Sequence, residues 1–301
     1  MGRRATINAR TRRRRILTVS AVVAVIAVLA VVYFVASAGI NPYSSYVGQQ
    51  VSGPVLLQMT GVSDSTLNSV GAISGVNPPA AISGSPLTSG GKPEVLFVGG
   101  EYCPFCAVER WSMIVALSRF GEFTGIQYMQ SSSTDVNPNT PTFTFSGATY
   151  TSKYITFVPV EEFDRSGSIR QALTSDQQAL VTQYDTCSGR SSSGGIPFID
   201  MGNTYAVNCG AQFNLDLSGD NWTQIASQLS DPNSDIARLI DGAANSLITA
   251  ICKVDGGQPA AVCSQTYATV GLAYYRPGLV WNAQAELQAL PPQRVGTRWT
   301  A

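Results

Sequence analysis

Apolar runs along the chain predict a strand–helix–strand unit. Residues 95–98 form a continuous apolar run, Val-Leu-Phe-Val, which is typical of a strand buried on both faces. From Ala107 to about Phe120 the apolar positions recur at helical spacing, and residues 126–130 are strand-like again. Gly121 stands where a left-handed glycine commonly ends a helix, so the helix is expected to stop there.

Two antiparallel hairpins are predicted further along the chain. Polar and apolar residues alternate over residues 142–145, a Gly-Ala pair can then turn the chain, and residues 150–160 are strand-like. Residues 196–201 and 204–207 flank a Gly-Asn pair in the same way. Each set therefore predicts two neighbouring strands joined by a short turn.

Two helices accompany these hairpins. Isoleucine, leucine and alanine recur at helical spacing over residues 234–252, which predicts a long helix with one buried face. A shorter helix is predicted over residues 176–184, because Ser175 and Gln178 have the spacing of an N-terminal capping box. Both helices fall within a predicted domain of residues 93–290.

The residues on either side of this domain differ from it in composition. Residues 39–92 are rich in Gly, Ser, Asn and Pro, and much of this segment is predicted to be a linker, with a short strand at residues 55–59. Residues 291–301 are predicted to form a C-terminal tail. The pattern thus favours one folded domain with extended segments at both ends.

An uncharged apolar stretch covers residues 16–38, which is long enough to cross a bilayer as one helix. Seven arginines lie within residues 1–15, and no acidic residue precedes Asp64. The positive-inside rule then predicts a cytoplasmic basic tail, a single transmembrane helix in the cell membrane and an extracytoplasmic main domain. The alternative is a cleaved signal peptide, because residues 36–38 (Ala-Ser-Ala) have the small-residue spacing of a cleavage site. Both alternatives place the main domain outside the cytoplasm.

Composition excludes several classes of function. The chain has 301 residues, 44% of them apolar, so a sizeable core can form. After the arginine cluster, acidic residues outnumber basic ones and no basic stripe is present, which argues against a nucleic-acid partner. The chain contains no histidine, which excludes Ser-His-Asp and Cys-His catalysis and histidine-ligated metals. Its six cysteines suit an oxidising compartment.

The strongest chemical motif is Cys-Pro-Phe-Cys at residues 103–106, between the predicted strand and helix. The first turn of a helix carries unpaired N–H groups and partial positive charge, so a thiolate on Cys103 is stabilised and its pKa falls. Cys106, on the same helical face, can resolve a mixed disulfide formed by Cys103. The motif predicts a redox-active pair, with a structural disulfide or a zinc site as alternatives. Zinc would need two further ligands, for which Cys187 and Cys209 are the candidates.

The arrangement resembles the thioredoxin superfamily, in which a CxxC motif opens a helix and an Ile-Pro pair, here residues 196–197, opens a later hairpin. More narrowly, three segments resemble a membrane-anchored, thioredoxin-like family classed as domain of unknown function 929. They are Glu-Tyr-Cys-Pro-Phe-Cys-Ala at residues 101–107, Glu-Arg-Trp at 109–111 and Pro-Asn-Thr-Pro-Thr-Phe at 138–143. The similarity covers approximately residues 51–275.

The resemblance implies both a fold and roles for individual residues. The implied fold class is α/β, a thioredoxin-like three-layer fold preceded by one transmembrane helix, with a hairpin and helix inserted at about residues 142–185. Cys103 is then the attacking thiol and Cys106 the resolving thiol. Pro197 is a cis proline beside the CxxC motif, where its neighbouring backbone pairs with an extended substrate peptide.

One feature of thioredoxins has no counterpart in this sequence. Thioredoxins often keep a buried acid on the strand before the active site, whereas residues 95–98 are all apolar. Glu101 and Glu109 are close to the motif in sequence, and either could relay protons. We expect them instead to be solvated, Glu101 as an acid on the rim of the site and Glu109 as a charge on the helix surface.

The other four cysteines are predicted to be structural. Cys252 and Cys263 flank a loop with two glycines and a proline, so we expect a bridge from the long helix to the final segment. A bridge between Cys187 and Cys209 would brace the loop that presents Pro197. A second redox pair formed by Cys187 and Cys209 is the alternative, and the spacing selects no connectivity.

These observations predict a membrane-anchored, extracytoplasmic thiol-disulfide oxidoreductase. It would act on protein thiols or disulfides and exchange electrons with a redox partner that the sequence does not identify. This chemistry requires no metal or organic cofactor. The competing hypothesis is a non-catalytic, thioredoxin-like binding or scaffold module of the cell envelope, whose CxxC disulfide is structural.

Overall fold

The computed structural model describes residues 23–32, 41–186 and 195–274 of the chain. The chain forms two compact units, Met1–Ser45 and Tyr46–Ala301. In the first unit, residues 23–32 are helical. None of the helices in the described ranges combines the length and the apolar character needed to cross a membrane.

Several sequence predictions concern residues outside these ranges. They are the basic tail at residues 1–15, much of the apolar stretch at 16–38, the pairing of Cys187 and the C-terminal tail at 291–301.

The second unit combines helices with a central mixed sheet. The helices are α1 (Gly53–Thr60), α2 (Asp64–Val70), α3 (Pro104–Leu117), α4 (Ser175–Tyr184), α5 (Trp222–Gln228), α6 (Asp235–Val254) and α7 (Ala260–Cys263). The strands are β1 (Ala80–Ala81), β2 (Thr88–Ser89), β3 (Lys92–Gly100), β4 (Gly121–Thr124), β5 (Gln127–Gln130), β6 (Pro141–Thr144), β7 (Thr149–Ser152), β8 (Thr156–Phe163), β9 (Phe198–Met201), β10 (Tyr205–Val207) and β11 (Ala273–Tyr274). Short 3₁₀ helices occur at Ser44–Tyr46 and Thr266–Thr269.

Strand β3 lies inside a sheet that contains seven of the described strands. It pairs in parallel with β8 and antiparallel with β9, so that Val95 is paired with Phe157 and with Met201. The order continues from β9 through β10 and β1 to β11, and β2 pairs with the start of β3. The side chains of residues 95–98 are at most 2% exposed, as their continuous apolar run predicts.

Helices cover both faces of this sheet. Leu96 and Val98 pack in one apolar cluster with Val181 of α4. Phe97 points to the opposite face, because side chains alternate along a strand, and the guanidinium carbon of Arg110 in α3 lies 5.5 Å from the centre of its ring. Helix α3 packs in turn against α6. The predicted α/β class is therefore confirmed.

The long helix and the second hairpin are also confirmed. Helix α6 begins after Ser234, whose hydroxyl accepts a hydrogen bond from the Ala237 N–H at 2.9 Å, the usual N-cap contact. Strands β9 and β10 pair antiparallel, with Ala206 opposite Asp200. In helix α4 the capping box lies one residue earlier than predicted, because Thr174 and Gln177 form it.

The prediction of a hairpin between residues 142–145 and 150–160 is wrong. Strand β6 pairs with β5, β7 pairs with β4, and β8 joins the central sheet beside β3. Alternation of polar and apolar residues indicates a strand but not its partner. The segment predicted as an insertion at about residues 142–185 thus supplies a central strand as well as α4.

Two predictions near the ends of elements are also wrong. Residues 55–59 lie in helix α1, where the buried Val55 and Met59 are four residues apart, which is helical spacing. Much of the segment predicted to be a linker is therefore folded. Gly121 begins β4 and does not cap α3. A Cβ at this position would collide with the carbonyl oxygen of Thr151, so glycine permits the close approach of β7.

Candidate active site

The first cysteine of the CxxC motif caps helix α3. Cys103 precedes the first helical residue, Pro104, and has extended backbone angles, φ −78° and ψ 122°. Its sulfur accepts a hydrogen bond from the Cys106 N–H at 3.3 Å, a contact that a serine or aspartate oxygen usually makes. Proline suits the first helical position because it has no N–H to leave unpaired. The Cys103 sulfur therefore lies at the partially positive end of the helix.

A proline loop lies against this sulfur. The Ile196–Pro197 peptide bond is cis, and Pro197 immediately precedes β9. The Cys103 thiol donates a long hydrogen bond to the Ile196 carbonyl, with 3.6 Å between Sγ and O. A Cβ on Gly100 would come 3.0 Å from Ile196 Cδ1, so the glycine permits this approach. The fold thus brings Cys103, Cys106 and the Pro197 loop together.

The two thiols of the motif have different environments. Both are free, with Cys103 5% exposed and Cys106 fully buried. The hydrogen bond with the Cys106 side chain lowers the pKa of Cys103, and the Cys106 N–H and Arg110 act in the same direction against burial. Burial raises the pKa of Cys106 well above its usual range, and the hydrogen bond to Cys103 adds to this. The site therefore shifts the pKa values of the two thiols in opposite directions, down for Cys103 and up for Cys106.

A buried ion pair joins α3 to β8 next to the motif. Arg110 donates from Nε to Glu161 Oε1 at 3.0 Å and from Nη2 to Oε2 at 2.6 Å, and both side chains are at most 1% exposed. Arg110 Nη2 also donates to the Gly100 carbonyl at 3.0 Å, and the Cys103 N–H donates to the same carbonyl at 3.2 Å. The Gly100 carbonyl thus connects Arg110 to the backbone of Cys103.

The two glutamates near the motif are not solvated, so the expectation for both is wrong. Glu101 is 1% exposed, accepts a hydrogen bond from Thr144 at 2.6 Å and pairs with Arg170 at 3.2 Å. Glu109 is fully buried and accepts from the Gln212 N–H at 2.9 Å, while its other oxygen has no hydrogen-bond partner. Burial raises the pKa of Glu109 to about 7. Its helix face is covered by elements distant in sequence, which periodicity could not indicate.

A polar pocket of about 300 Å³ begins beside the motif at Tyr102. Its other lining residues come from two loops and are Ser132, Thr134, Asp135, Arg165, Ser166 and Gly167. The loops are held in place, because the Ser132 N–H donates to the Tyr102 carbonyl at 2.8 Å and Arg165 Nε donates to the Ser131 carbonyl at 3.1 Å. Hydroxyl groups and one charge of each sign can therefore meet a polar ligand next to the CxxC motif.

The remaining cysteines lie away from this motif. Cys252 and Cys263 form a disulfide, with 5.6 Å between their Cα atoms, that joins α6 to α7. Cys209 is disulfide-bonded, and its predicted partner, Cys187, is outside the described ranges. Over the part of the chain that the structure describes, no group of three or more Cys, Asp or Glu side chains is placed to hold a metal ion.

The sequence does not identify Arg110 and Glu161 as site residues. Arg110 follows Cys106 by four residues, one helical turn, and this spacing is a signal that could have indicated it. Glu161 is 51 residues from Arg110. It reaches the site because β8 pairs in parallel with β3, where Glu161 is opposite Gly99. No residue spacing in the sequence predicts the pairing of β8 with β3.

The fold and the site together define the class of protein. It is a mixed α/β domain with a CxxC motif at the N-terminus of a buried helix and a cis proline beside that motif. The chain belongs to the family described as Domain of unknown function (DUF929), whose model matches residues 78–253. This confirms the family that the segments around Cys103 and Thr142 resemble. The comparisons with curated proteins and with solved structures returned no match. The family's description states no activity, so the function is argued from the site.

Proposed function

We propose that this protein is a thioredoxin-like thiol-disulfide oxidoreductase that exchanges disulfides with protein substrates through Cys103 and Cys106. The observation that carries the proposal is the position of the Cys103 sulfur, 3.3 Å from the Cys106 nitrogen and 3.6 Å from the Ile196 oxygen. The helix N-terminus favours a thiolate there. The backbone before Pro197 lies beside the same sulfur, where an extended substrate peptide could pair with it.

The topology around the motif supports the assignment to the thioredoxin superfamily. A buried strand, β3, leads directly into the CxxC motif, and α3 and α4 lie on opposite faces of the sheet. The cis proline precedes β9, which is the antiparallel neighbour of β3. This placement matches the superfamily arrangement that the CxxC motif and the Ile-Pro pair imply.

The exchange takes place in two balanced steps. The Cys103 thiolate attacks one sulfur of a substrate disulfide, so a Cys103–substrate disulfide forms and the other substrate sulfur leaves as a thiolate that takes a proton from solvent. Cys106 then attacks the Cys103 sulfur, which forms the Cys103–Cys106 disulfide and releases the second substrate thiolate. The proton lost by Cys106 goes to that departing thiolate. Two electrons pass to the substrate, and the reverse sequence oxidises a substrate dithiol.

The surface near the motif suits a protein substrate. Phe105, between the two cysteines, is 37% exposed, and Val136 and Ile169, next to the loops that line the polar pocket, are 56% and 76% exposed. Exposed apolar side chains next to polar groups are typical of surfaces that bind a polypeptide. A substrate cysteine could reach Cys103 while its flanking residues contact this surface.

We propose further that residues 16–38 anchor the protein in the cell membrane with the main domain outside the cytoplasm. The support is the absence of charge from this stretch and the arginines that precede it. In the described part, residues 23–32 are helical and their large apolar side chains are exposed. An extracytoplasmic position also suits a protein with a disulfide between Cys252 and Cys263.

Mixed-disulfide trapping in cells tests the proposed function. In a Cys106→Ser variant the first exchange step can occur but the second cannot, so mixed disulfides through Cys103 should accumulate and disappear on reduction. The Cys103→Ser variant is the matched control, because it keeps Cys106 but lacks the attacking sulfur. In an insulin-reduction assay the wild type should be active and both variants inactive. Equal turnover by all three proteins would contradict the proposal.

The alternative, a non-catalytic binding module, is favoured by one observation. The Cys103 side chain is only 5% exposed, so a substrate sulfur must approach through a narrow opening. The trapping experiment separates the two functions, because a module with a structural CxxC pair captures no partner through Cys103 when Cys106 is replaced by serine. A reduction potential below about −300 mV would point to the same alternative.

A further inference from the structure

Arg110, close to the CxxC motif, is a buried residue that stays positively charged. Arg110 has no exposed surface and lies one helical turn after Cys106, so both project from the same face of α3. An arginine side chain stays protonated throughout the physiological pH range. Its interactions with Glu161 and with the two cysteines raise its pKa further, against the effect of burial. The site therefore contains a permanent positive charge.

The geometry holds this charge close to the reacting sulfurs. The Arg110 guanidinium donates two hydrogen bonds to the Glu161 carboxylate and a third to the Gly100 carbonyl. That carbonyl also accepts the Cys103 N–H, so Arg110 and the cap of α3 share one backbone group. The remaining nitrogen, Nη1, is buried and has no hydrogen-bond partner. One edge of the guanidinium thus has no hydrogen-bond acceptor.

We propose that Arg110 is the fixed positive charge that stabilises the Cys103 thiolate of the reduced Cys103–Cys106 pair and so makes the pair a stronger oxidant. The inference deepens the proposed function and rests on it. Stabilising the thiolate form favours the reduced pair over its disulfide, which raises the reduction potential. Glu161 has two effects, because it orients the arginine and offsets part of its charge.

The other charged groups around the motif do not replace Arg110 in this role. Glu101 is paired with Arg170 and Thr144, and Asp135 and Glu162 act on Tyr102. The Cys103 and Cys106 thiols are both influenced by Arg110. Glu109 carries a carboxylate whose one hydrogen bond is with Gln212, on the side of α3 that faces other elements. The buried charge that acts on both thiols is therefore the cation of Arg110.

Equilibration of the reduced protein with glutathione tests the proposal, with the oxidised fraction of residues 103 and 106 counted by alkylation and mass spectrometry. The Arg110→Met/Glu161→Gln double variant removes both charges without leaving one buried alone. We expect its equilibrium constant to shift about tenfold toward the disulfide, which corresponds to a potential about 30 mV lower. An equilibrium constant equal to that of the wild type would overturn the role assigned to Arg110.

Single variants give a test with opposite signs. Glu161→Gln keeps the arginine but removes its counter-charge, so the equilibrium should shift severalfold toward the dithiol. Arg110→Lys keeps a positive charge but loses the paired hydrogen bonds to Glu161, so its equilibrium constant should shift less than that of the double variant. If Arg110 and Glu161 had a purely structural role, the equilibrium constants of Glu161→Gln and of the double variant would shift in the same direction. If the double variant does not fold, the sign of the Glu161→Gln shift decides.

Arg119→Met is the matched control. Arg119 follows the other end of α3, is ion-paired with Asp64 at 3.5 Å and is largely buried, so its replacement perturbs the same helix without touching the motif. Its equilibrium constant should equal that of the wild type. The two proposals fail separately. If the glutathione equilibrium constants shift but the Cys106→Ser variant traps no partner, the enzymatic function is refuted and the role of Arg110 stands. If partners are trapped but the equilibrium constants do not shift, the role of Arg110 is refuted and the enzymatic function stands.

Discussion

Helices α3 and α6 pack against each other, and each carries a cysteine that belongs to a different kind of pair. Cys103 caps the N-terminus of α3 and is a free thiol, whereas Cys252 lies near the C-terminus of α6 and is bonded to Cys263. Partial positive charge at a helix N-terminus stabilises a thiolate, and partial negative charge at a C-terminus disfavours it. The end of the helix on which each cysteine lies therefore favours a thiolate at Cys103 and disfavours one at Cys252.

The buried charges of the two helices differ in the same way. On α3, Arg110 forms an ion pair with Glu161 and stays charged. On α6, Asp241 is fully buried with neither carboxylate oxygen in a hydrogen bond, and burial raises its pKa to about 8. A paired charge persists in the interior, whereas an unpaired carboxyl takes up a proton. Helix α3 thus keeps a buried charge inside an ion pair, whereas α6 buries a carboxyl without a partner.

Replacing the sulfur on α3 should give the largest effect. Cys103→Ser should lower the rate of disulfide exchange by at least about 100-fold, because the hydroxyl is a far weaker nucleophile than the thiolate. The free energy of unfolding should change by less than about 1 kcal/mol, since serine is also a good N-cap residue. Insulin-reduction kinetics and urea unfolding measure the two quantities. A large loss of stability with retained exchange would reverse the contrast between the helices.

Replacing the pair on α6 should have the opposite consequence. The Cys252→Ala/Cys263→Ala variant should unfold with a free energy about 2–3 kcal/mol lower than that of the wild type, because the bridge restricts the unfolded chain. Its exchange rate at 25 °C should remain within about twofold of the wild type, since the bridge does not contact Cys103. Loss of exchange in a variant that is still folded would show that the two pairs are coupled.

The acid on α6 should make stability depend on pH. An unfolded aspartate has a pKa of about 3.9, and Asp241 in the folded protein has one of about 8, so the folded state binds more protons between these values. Stability should therefore fall as the pH rises from about 4 to 8 and level off above. Asp241→Asn should be more stable than the wild type at pH 8 by about 1–3 kcal/mol.

Urea unfolding at pH 5 and pH 8 measures this difference. Asp200 and Glu109 have pKa values raised to about 7 by burial, so a shallower slope of the same sign should remain in the variant. Parallel profiles for the wild type and Asp241→Asn would mean that Asp241 is charged at neutral pH. The disulfide-exchange rate of Asp241→Asn should equal that of the wild type, because the substitution is on α6 and not at the cysteine motif of α3.

The smallest effect is expected at the polar pocket beside α3. Asp135→Asn should raise KM about two- to fivefold for a disulfide peptide with lysine next to its cysteine, because one exposed attractive charge is lost. The same peptide with serine in place of lysine is the control and should show no change in KM. The glutathione equilibrium of the CxxC pair should also stay constant. A change in kcat alone would argue against a contact with substrate.

Much of the fold can be predicted because its strongest elements have local signals. Residues 95–98 are apolar throughout, residues 234–252 have helical periodicity, and a Gly-Asn pair separates the strands of the second hairpin. Pairing partners cannot be predicted in this way. The strand at residues 142–145 is correct, but its partner is β5 and not the strand that follows it. Strand pairing depends on which surfaces meet after collapse, and alternation within one strand does not contain that information.

The candidate site divides in the same manner. Cys103 and Cys106 are evident because their spacing and the pattern around them place both at a helix N-terminus. Glu109 is different, since burial by Gln212 and its neighbours turns an apparent surface charge into an interior one. Glu161 is invisible from sequence because its role comes from the parallel pairing of β3 and β8.

By itself the sequence determined the position of the cysteine motif, the polarity of the helix that follows it and the absence of histidine chemistry. These are properties of neighbouring residues, and local backbone geometry is enough to place Cys103 at the start of the helix with Cys106 one turn away. Only the tertiary structure decided which charge stands beside that sulfur. Arg110 and Glu161 are far apart along the chain, and the energy of a charge depends on the groups that surround it in space.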